Sequence, residues 1–269
     1  MNSHIQSQAG MEFPVVRRSA IVERLNNEGV VRTLDLAKDL HVSVETIRRD
    51  LAELEREGVL ERIHGGATLA SQRLREEPSF RVRTQVSEPA KASIAKRAVD
   101  LIPDGATVMV DVRTTALSMA AALPDTFRGI VVTNSLPAAN ELARHPHIEL
   151  LVTGGRVRSE DLAISGSHAM DLLSSIRADI AFIGSGGVSV SGITDFHLDE
   201  VATRRIMINN SVKTYVLADS SKHNCVAPFH VSDWEDVTGM ITDNEPPLGL
   251  RAAMEEAGAE VLVGTEERK

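Results

Sequence analysis

The stretch VSVETIRRDLAELEREGVLERIHGGA, Val42 to Ala67, constrains this chain more than any other. Ser43 stands where a helix N-cap belongs, Glu45 suits the positive end of the helix dipole, and Ile47, Leu51 and Leu54 recur at i, i+4 and i+7. At about 100° per residue, Leu51 and Leu54 fall within about 40° of Ile47 and Val44 within about 60°, so one face of this helix is apolar. Upstream, Arg17 to Asn27 carries Ile21, Val22 and Leu25 at helical spacing, and Gly29 follows where a helix end favours a left-handed residue. Thr33 is placed to cap a second helix, LDLAKDL, which HVS ends. Two short helices joined by so short a turn form a helix-turn-helix. Past the third helix, GVLERIHGGA reads as two short strands around a His-Gly-Gly turn, which makes a wing.

On the same helical wheel Arg49 points directly away from the apolar face, with Thr46, Glu45 and Arg56 beside it and Arg48 on the flank. Taken alone, Arg-Arg-Asp is the ordinary content of a solvated helix face with short-range ion pairs. Within a helix-turn-helix the reading changes, because the start of the second helix is what reaches base edges, and arginine can donate two hydrogen bonds to guanine. The wing would set Arg62 and His64 against phosphate or the minor groove. His64 is not read as a metal ligand, since no second His, Cys or carboxylate lies at ligand spacing, and no metal or cofactor is expected. The net charge of −9 argues against an unselective nucleic-acid binder. Through Arg75, however, eleven Lys and Arg balance eleven Asp and Glu, so all the excess acidity falls on the rest. A neutral head can still bind DNA if its arginines share one face, while the acidic body is held off the duplex.

From Gly105 onward, β-rich runs alternate with helical ones: TVMVDV, GIVVTN, IELLVTGG, DIAFIGSGG, TYVLADSSK, MITD and EVLVG, with helices at Thr115 to Leu123, Leu136 to Arg144 and Leu198 to Asn209. That rhythm predicts a largely parallel α/β sheet. Ligands of such sheets bind beyond the carboxyl ends of the strands, and there stand DVRTTA, TNS, GGR, GSGG, DSSK and TD. Singly, a Thr-Thr is more often an N-cap and a Gly-Gly a turn. Six such endings on one sheet suggest a site in which hydroxyls and helix N-terminal N–H groups take a phosphate or carboxylate, with Lys222 as a point charge. Asp111, Asn134 and Glu200 would accept from sugar hydroxyls. The lone Cys225 reads as a small filler, and a single cysteine agrees with a reducing compartment. No run of about 18 apolar residues suggests a membrane span, and the polar MNSHIQSQAG does not read as a signal peptide, so a cytoplasmic protein is expected.

The segment Val42 to Ala67, and then the strand-end motifs in the same order, resemble the DeoR family of bacterial transcriptional regulators over about Val16 to Asp243. The resemblance implies a small winged helix-turn-helix followed by a larger α/β effector domain like the ribose-5-phosphate isomerase and coenzyme A transferase fold. It implies double-stranded operator DNA as partner, contacted by Ser43, Thr46, Arg48 and Arg49, usually for repression of a carbohydrate operon. It also implies a phosphorylated sugar or related effector, with Asp111, Thr114, Thr115, Thr133, Asn134, Ser135, Gly155, Gly186, Glu200 and Lys222 as pocket residues. The family's Asp-x-Gly-Thr-Thr loop is here Asp111-Val112-Arg113-Thr114-Thr115. Arg113 either clamps an unusually acidic ligand, fills the phosphate pocket, or points to solvent. The family's later lysine is replaced by Arg204. The expected division is a tail over 1–13, the DNA-binding domain over 14–70, a linker over 71–88 and the effector domain over 89–269. Because one recognition helix reads few base pairs, a homo-oligomer, dimer or tetramer, is expected, nucleoid-associated when on DNA. The alternative is a sugar-phosphate isomerase or transferase with a DNA-binding head, using Asp111, Glu200 or Lys222 as acid or base, but GSGGVSVSGITD keeps only Asp195 of an acidic catalytic loop. No catalytic residue is assigned.

Overall fold

The computed structural model describes residues 14–70 and 72–264, so the tail expected over 1–13 lies outside the described residues. The chain divides into two compact units, one reaching to Gln72 and including Pro247–Ala253, the other comprising Arg73–Pro246 and the chain from Met254 onward.

The first unit holds α1 (Pro14–Glu28), β1 (Val30–Arg32), α2 (Thr33–Asp39), α3 (Val44–Arg56), β2 (Leu60–Ile63) and β3 (Gly66–Leu69). Its core joins Ile21 and Leu25 of α1, Leu36 of α2, and Ile47, Leu51 and Leu54 of α3. Each fully buried aliphatic side chain there contributes about 1.5–3 kcal/mol. Ser43 caps α3 as its position predicts: its Oγ accepts from the Thr46 N–H at 3.0 Å. Thr33 does not cap α2. It is the first helical residue, and its N–H donates to the Gly65 carbonyl at 2.8 Å. Strands β2 and β3 form the antiparallel wing, and β1, which has no periodic signal in three residues, adds to the outer side of β3. That close pairing requires Gly66, where a Cβ would come 2.0 Å from the Val31 carbonyl oxygen.

The second unit begins with β4, whose second residue is Arg73, α4 (Phe80–Gln85) and α5 (Glu88–Val99). A seven-stranded, all-parallel sheet follows. Its strands are β5 (Thr107–Val110), β6 (Gly129–Thr133), β7 (Ile148–Val152), β10 (Ala178–Gly184), β13 (Ser211–Leu217), β16 (Gly239–Thr242) and β17 (Glu260–Val263), in the order β17-β16-β13-β10-β5-β6-β7. From β5 the chain winds one way to β6 and β7, then resumes on the other side at β10. The switch point therefore lies between β5 and β10, where an open sheet parts its loops and takes ligands. Helices α6 (Thr114–Ala122), α7 (Leu136–Leu142), α8 (Ser167–Ser175) and α9 (Leu198–Asn209) connect the strands, and α10 (Leu248–Glu256) precedes β17. The apolar run Ala181–Phe182–Ile183 is buried throughout, as expected of a central strand covered on both faces.

Short strands outside the main sheet include the hairpin β8 (Arg156–Val157) with β9 (Ile164–Ser165), the pair β11 (Gly187–Ser189) with β12 (Gly192–Asp195), and β14 (Cys225–Val226). The β11–β12 pair is extended by β15 (Phe229–Ser232) into a second, antiparallel sheet. The stretch expected as a linker, 71–88, contains α4, and Glu77 and Arg83 bury most of their side chains in ion pairs.

Candidate functional site

On the head, Arg48 and Arg49 project from the start of α3 with side chains 66% and 80% exposed. They approach Glu45 at 3.7 and 3.8 Å, not Glu53. Such exposed pairs are worth less than about 1 kcal/mol and are readily given up to a phosphate or a base. Ser43 and Thr46 share a 2.8 Å hydroxyl contact in the same first turn. Arg62 is aimed by Glu55, which accepts from its Nε at 2.7 Å and its backbone N–H at 3.1 Å. His64 is exposed at the wing turn. What the sequence reading missed is Asp50, buried at 6% exposure and gripped by Arg17 through Nε at 2.5 Å and a second nitrogen at 3.1 Å.

In the second unit, Asp111 directly follows β5, and Arg113 occupies the N-cap of α6 without a side-chain capping bond. Arg113 does not point to solvent. It is 4% exposed and lies along Gly184, where a Cβ would come 2.2 Å from its Cγ. Its guanidinium pairs with Glu77 and Asp195 and lies 3.1 Å from Glu200, while Nε has no partner among the described residues. Arg204, fully buried on α9, donates to Asp111 at 2.7 Å, to Glu200 at 2.8 Å and to Asp195. Arg158 pairs with Asp161 and Glu200, and Arg83 lies 3.2 Å from Glu77 and 3.7 Å from Asp161. Burial alone would raise the Glu200 carboxyl, but the guanidinium of Arg113, then those of Arg204 and Arg158, hold it well below the usual carboxylate range. Burial wins at Asp111, whose carboxyl is raised in spite of Arg204. Asp111 accepts from Arg204 and the Gly184 N–H and Glu200 from Arg158 and Arg204, while one oxygen of Asp111 is without a partner among the described residues.

Beside this lattice is a cavity of about 130 Å3, lined by Arg113, Thr114 and Thr115 from α6, Ser185 from the end of β10, Ser221 and Lys222 from the turn after β13, and Pro78, Arg83 and Val86 from around α4. The Lys222 backbone N–H donates to the Asp219 carbonyl at 2.9 Å, while its ammonium makes no hydrogen bond or ion pair among the described residues. Burial lowers its ammonium pKa, opposed by Asp219. Ser185 Oγ is also buried without a partner. Lys91 lines the cavity too, but its ammonium is spent on the carbonyls of Arg83 and Val86.

The other sequence-predicted pocket residues do not line this cavity. Ser135 caps α7 by accepting from the Ala138 N–H at 3.3 Å, and Thr133 Oγ1 accepts from the Ser135 N–H. Asn134 is buried, its backbone carbonyl accepting from the Ile164 N–H and its side-chain amide oxygen without a partner among the described residues. Gly155 and Gly186 serve close packing, since a Cβ would come 2.4 Å from the Ser165 carbonyl and 2.9 Å from the Phe196 ring. Asp195 is fully buried between two arginines, not exposed as a catalytic acid. Among the described residues there is no cluster of His, Cys, Asp and Glu disposed to hold a metal, and no helix is long and apolar enough to cross a membrane.

A winged helix-turn-helix joined to an α/β domain with a cationic cavity at its switch point is the plan of a DNA-binding regulator that carries its own sensor. Residues 17–73 match the DeoR-like helix-turn-helix domain and residues 87–244 the DeoR C terminal sensor domain. The chain is 31% identical over 257 residues to the HTH-type transcriptional regulator GolR of Listeria innocua, covering 93% of this chain and 99% of that protein. It is 34% identical over 235 residues to the glycerol-3-phosphate regulon repressor of Escherichia coli, covering 87% and 92%. A further 34% identity over 230 residues, 85% of this chain and 91% of the other, is to the lactose phosphotransferase system repressor of Staphylococcus epidermidis. Among solved structures, ribose 5-phosphate isomerase A of Methanocaldococcus jannaschii overlaps 52% of this chain and 55% of its own at a TM-score of 0.38 and 21% identity. This chain belongs to the DeoR family of transcriptional regulators. It is a DNA-binding regulator and not an enzyme, which sets aside the isomerase alternative.

Proposed function

We propose that this regulator is a repressor of a carbohydrate operon, seated on operator DNA through the start of α3 and the wing, and controlled by a small phosphorylated sugar or a closely related anion in the α6 cavity. The observation that carries the reading is the combination around one cavity of an α6 N-terminus with no side-chain cap at Thr114 and Thr115, a buried Ser185 hydroxyl and a half-buried Lys222 ammonium, both without a partner among the described residues. Free N–H groups and an ammonium in a desolvated space favour a dianion over a neutral sugar. The naming of two relatives for glycerol-3-phosphate and lactose phosphotransferase systems supports the same ligand class. Thr133, Asn134, Ser135, Gly155, Gly186, Asp111 and Glu200 then act as the frame of the site. A single recognition helix covers few base pairs, which supports action as a dimer or tetramer on repeated half-sites, in the bacterial cytoplasm and on the nucleoid when bound.

A thermal-shift screen of the full chain against matched sugars, sugar alcohols and their phosphates tests the ligand class. A ligand at about 100 times its Kd should add about 2.7 kcal/mol, a visible shift, and only phosphorylated members are expected to give it. A shift with the unphosphorylated member of a pair would overturn the assignment. On the head, Arg49→Ala is expected to weaken operator binding by about 5- to 150-fold, a loss of about 1–3 kcal/mol, and to relax discrimination at one base position. Loss of a phosphate contact would instead weaken all sequences alike. Band shifts on operator and mutated-operator duplexes separate the two outcomes.

A further inference from the structure

Five carboxylates, Glu77, Asp111, Asp161, Asp195 and Glu200, surround four guanidiniums, Arg83, Arg113, Arg158 and Arg204. Glu77 differs from the other four carboxylates in three ways. Its side chain is the most accessible, 11% exposed against 0–4%. It is supplied by residues 74–86, the stretch between the two family-matched domains. It also belongs to a weakly packed strap, since α4 buries none of its residues and Val82 and Val86 are 48% and 51% exposed. The strap is fastened to the rest of the unit chiefly by polar contacts: Glu77 to Arg113 and His197, Arg83 to Asp161, and Lys91 to the α4 carbonyls. Arg113 and Arg83 both face the α6 cavity, so an anion bound there sits beside the group that Glu77 holds.

We propose that Glu77 is an internal stand-in for the effector's anionic group. The effector displaces the Glu77 carboxylate from Arg113, and the 77–86 strap, which continues directly into the DNA-binding head, is thereby released. Arg113, which takes the place of a glycine in the phosphate loop, is in this account the residue that recognises the anion and couples its binding to the strap. The inference rests on the cavity being the effector's anion site. It gives the buried Arg113 a role beyond charge balance, because without it Glu77 keeps only Arg83 and His197 as partners. Exchange of one anion for another on the same guanidinium leaves the buried charge balance nearly unchanged, so it avoids the cost of an unpaired buried charge.

The test uses the full-length protein, inorganic phosphate as probe, and trypsin, for which Arg81 and Arg83 lie in the strap. In the unsubstituted protein phosphate is expected to speed cleavage in 77–86. In Glu77→Gln the strap is expected to be cut quickly without phosphate, and phosphate to bind about tenfold more tightly by calorimetry, since the ligand no longer has to displace a competitor. Lys222→Met, which leaves the clasp intact, should lose phosphate binding and keep the strap slow to cut. Equal phosphate affinity in the unsubstituted and Glu77→Gln proteins, or protection of the strap by phosphate, would overturn the clasp while leaving the anion site standing. Absence of phosphate binding in both would overturn the anion site and the clasp together. The cleavage rate of the unsubstituted protein with and without phosphate decides the matter even if Glu77→Gln does not fold.

Discussion

Arg204→Ala is expected to unfold the sensor unit and not merely to weaken its ligand. Arg204 has no exposed side-chain surface and is shared by Asp111, Asp195 and Glu200, themselves 0–3% exposed. Truncating one member of a buried ion pair costs about 3–5 kcal/mol, because the partner is left charged and desolvated. Here three carboxylates lose that partner at once, against a whole-domain stability of about 5–15 kcal/mol. At about 2–4 °C per kcal/mol for a unit of this size, the melting temperature should fall by at least about 10 °C. Arg204→Lys keeps the charge but not the planar fork and should fall between the two. Calorimetry of the two variants checks this, and a melting temperature unchanged in Arg204→Ala would mean the lattice carries no net stability.

Asp50→Ala should damage the head alone. Asp50 takes two hydrogen bonds from Arg17, both side chains being nearly inaccessible, and its loss removes the buried ion pair that ties α1 to α3. The expected cost is again about 3–5 kcal/mol, a large part of what a small domain has. Amide hydrogen exchange should show α1–α3 opening while the parallel sheet stays protected, and operator binding should vanish together with that protection. Loss of operator binding with α1–α3 still protected would instead place Asp50 in recognition.

The comparison of sequence with structure turns on how far apart the partners lie. Ile47, Leu51 and Leu54 announce the buried face of α3 because the helical period is local, and Ser43 is legible as a cap for the same reason. At about 100° per residue Asp50 lies about 60° from Ile47, as far round as Val44, so a signal for its burial is present in the sequence but obscured by the charge of the Arg-Arg-Asp run. The strand rhythm gave the parallel sheet, whereas β11 and β12, only three and four residues long and starting in glycine, carry no periodicity to read. The ion lattice was out of reach: Glu77, Arg113, Asp195 and Arg204 come from four separate elements, and nothing in a polar stretch such as REEPSF says that its second glutamate is nearly buried. The arginines that pair with Asp111 and Glu200 are not announced by local sequence, since Arg204 is 93 residues from Asp111 and Arg158 is 42 from Glu200. Of the three readings of Arg113, its burial along Gly184 removes the solvent one.

The most direct test of the central claim is release of the protein from a fluorescent operator duplex, followed by anisotropy while a sugar phosphate and its unphosphorylated counterpart are titrated into the unsubstituted protein and Lys222→Met. The account predicts release of the unsubstituted protein by the phosphorylated compound alone, with Lys222→Met binding the duplex normally but needing at least about tenfold more effector, as expected when one charge-assisted contact is lost. Equal release by the unphosphorylated compound, or an unchanged response in Lys222→Met, would contradict it.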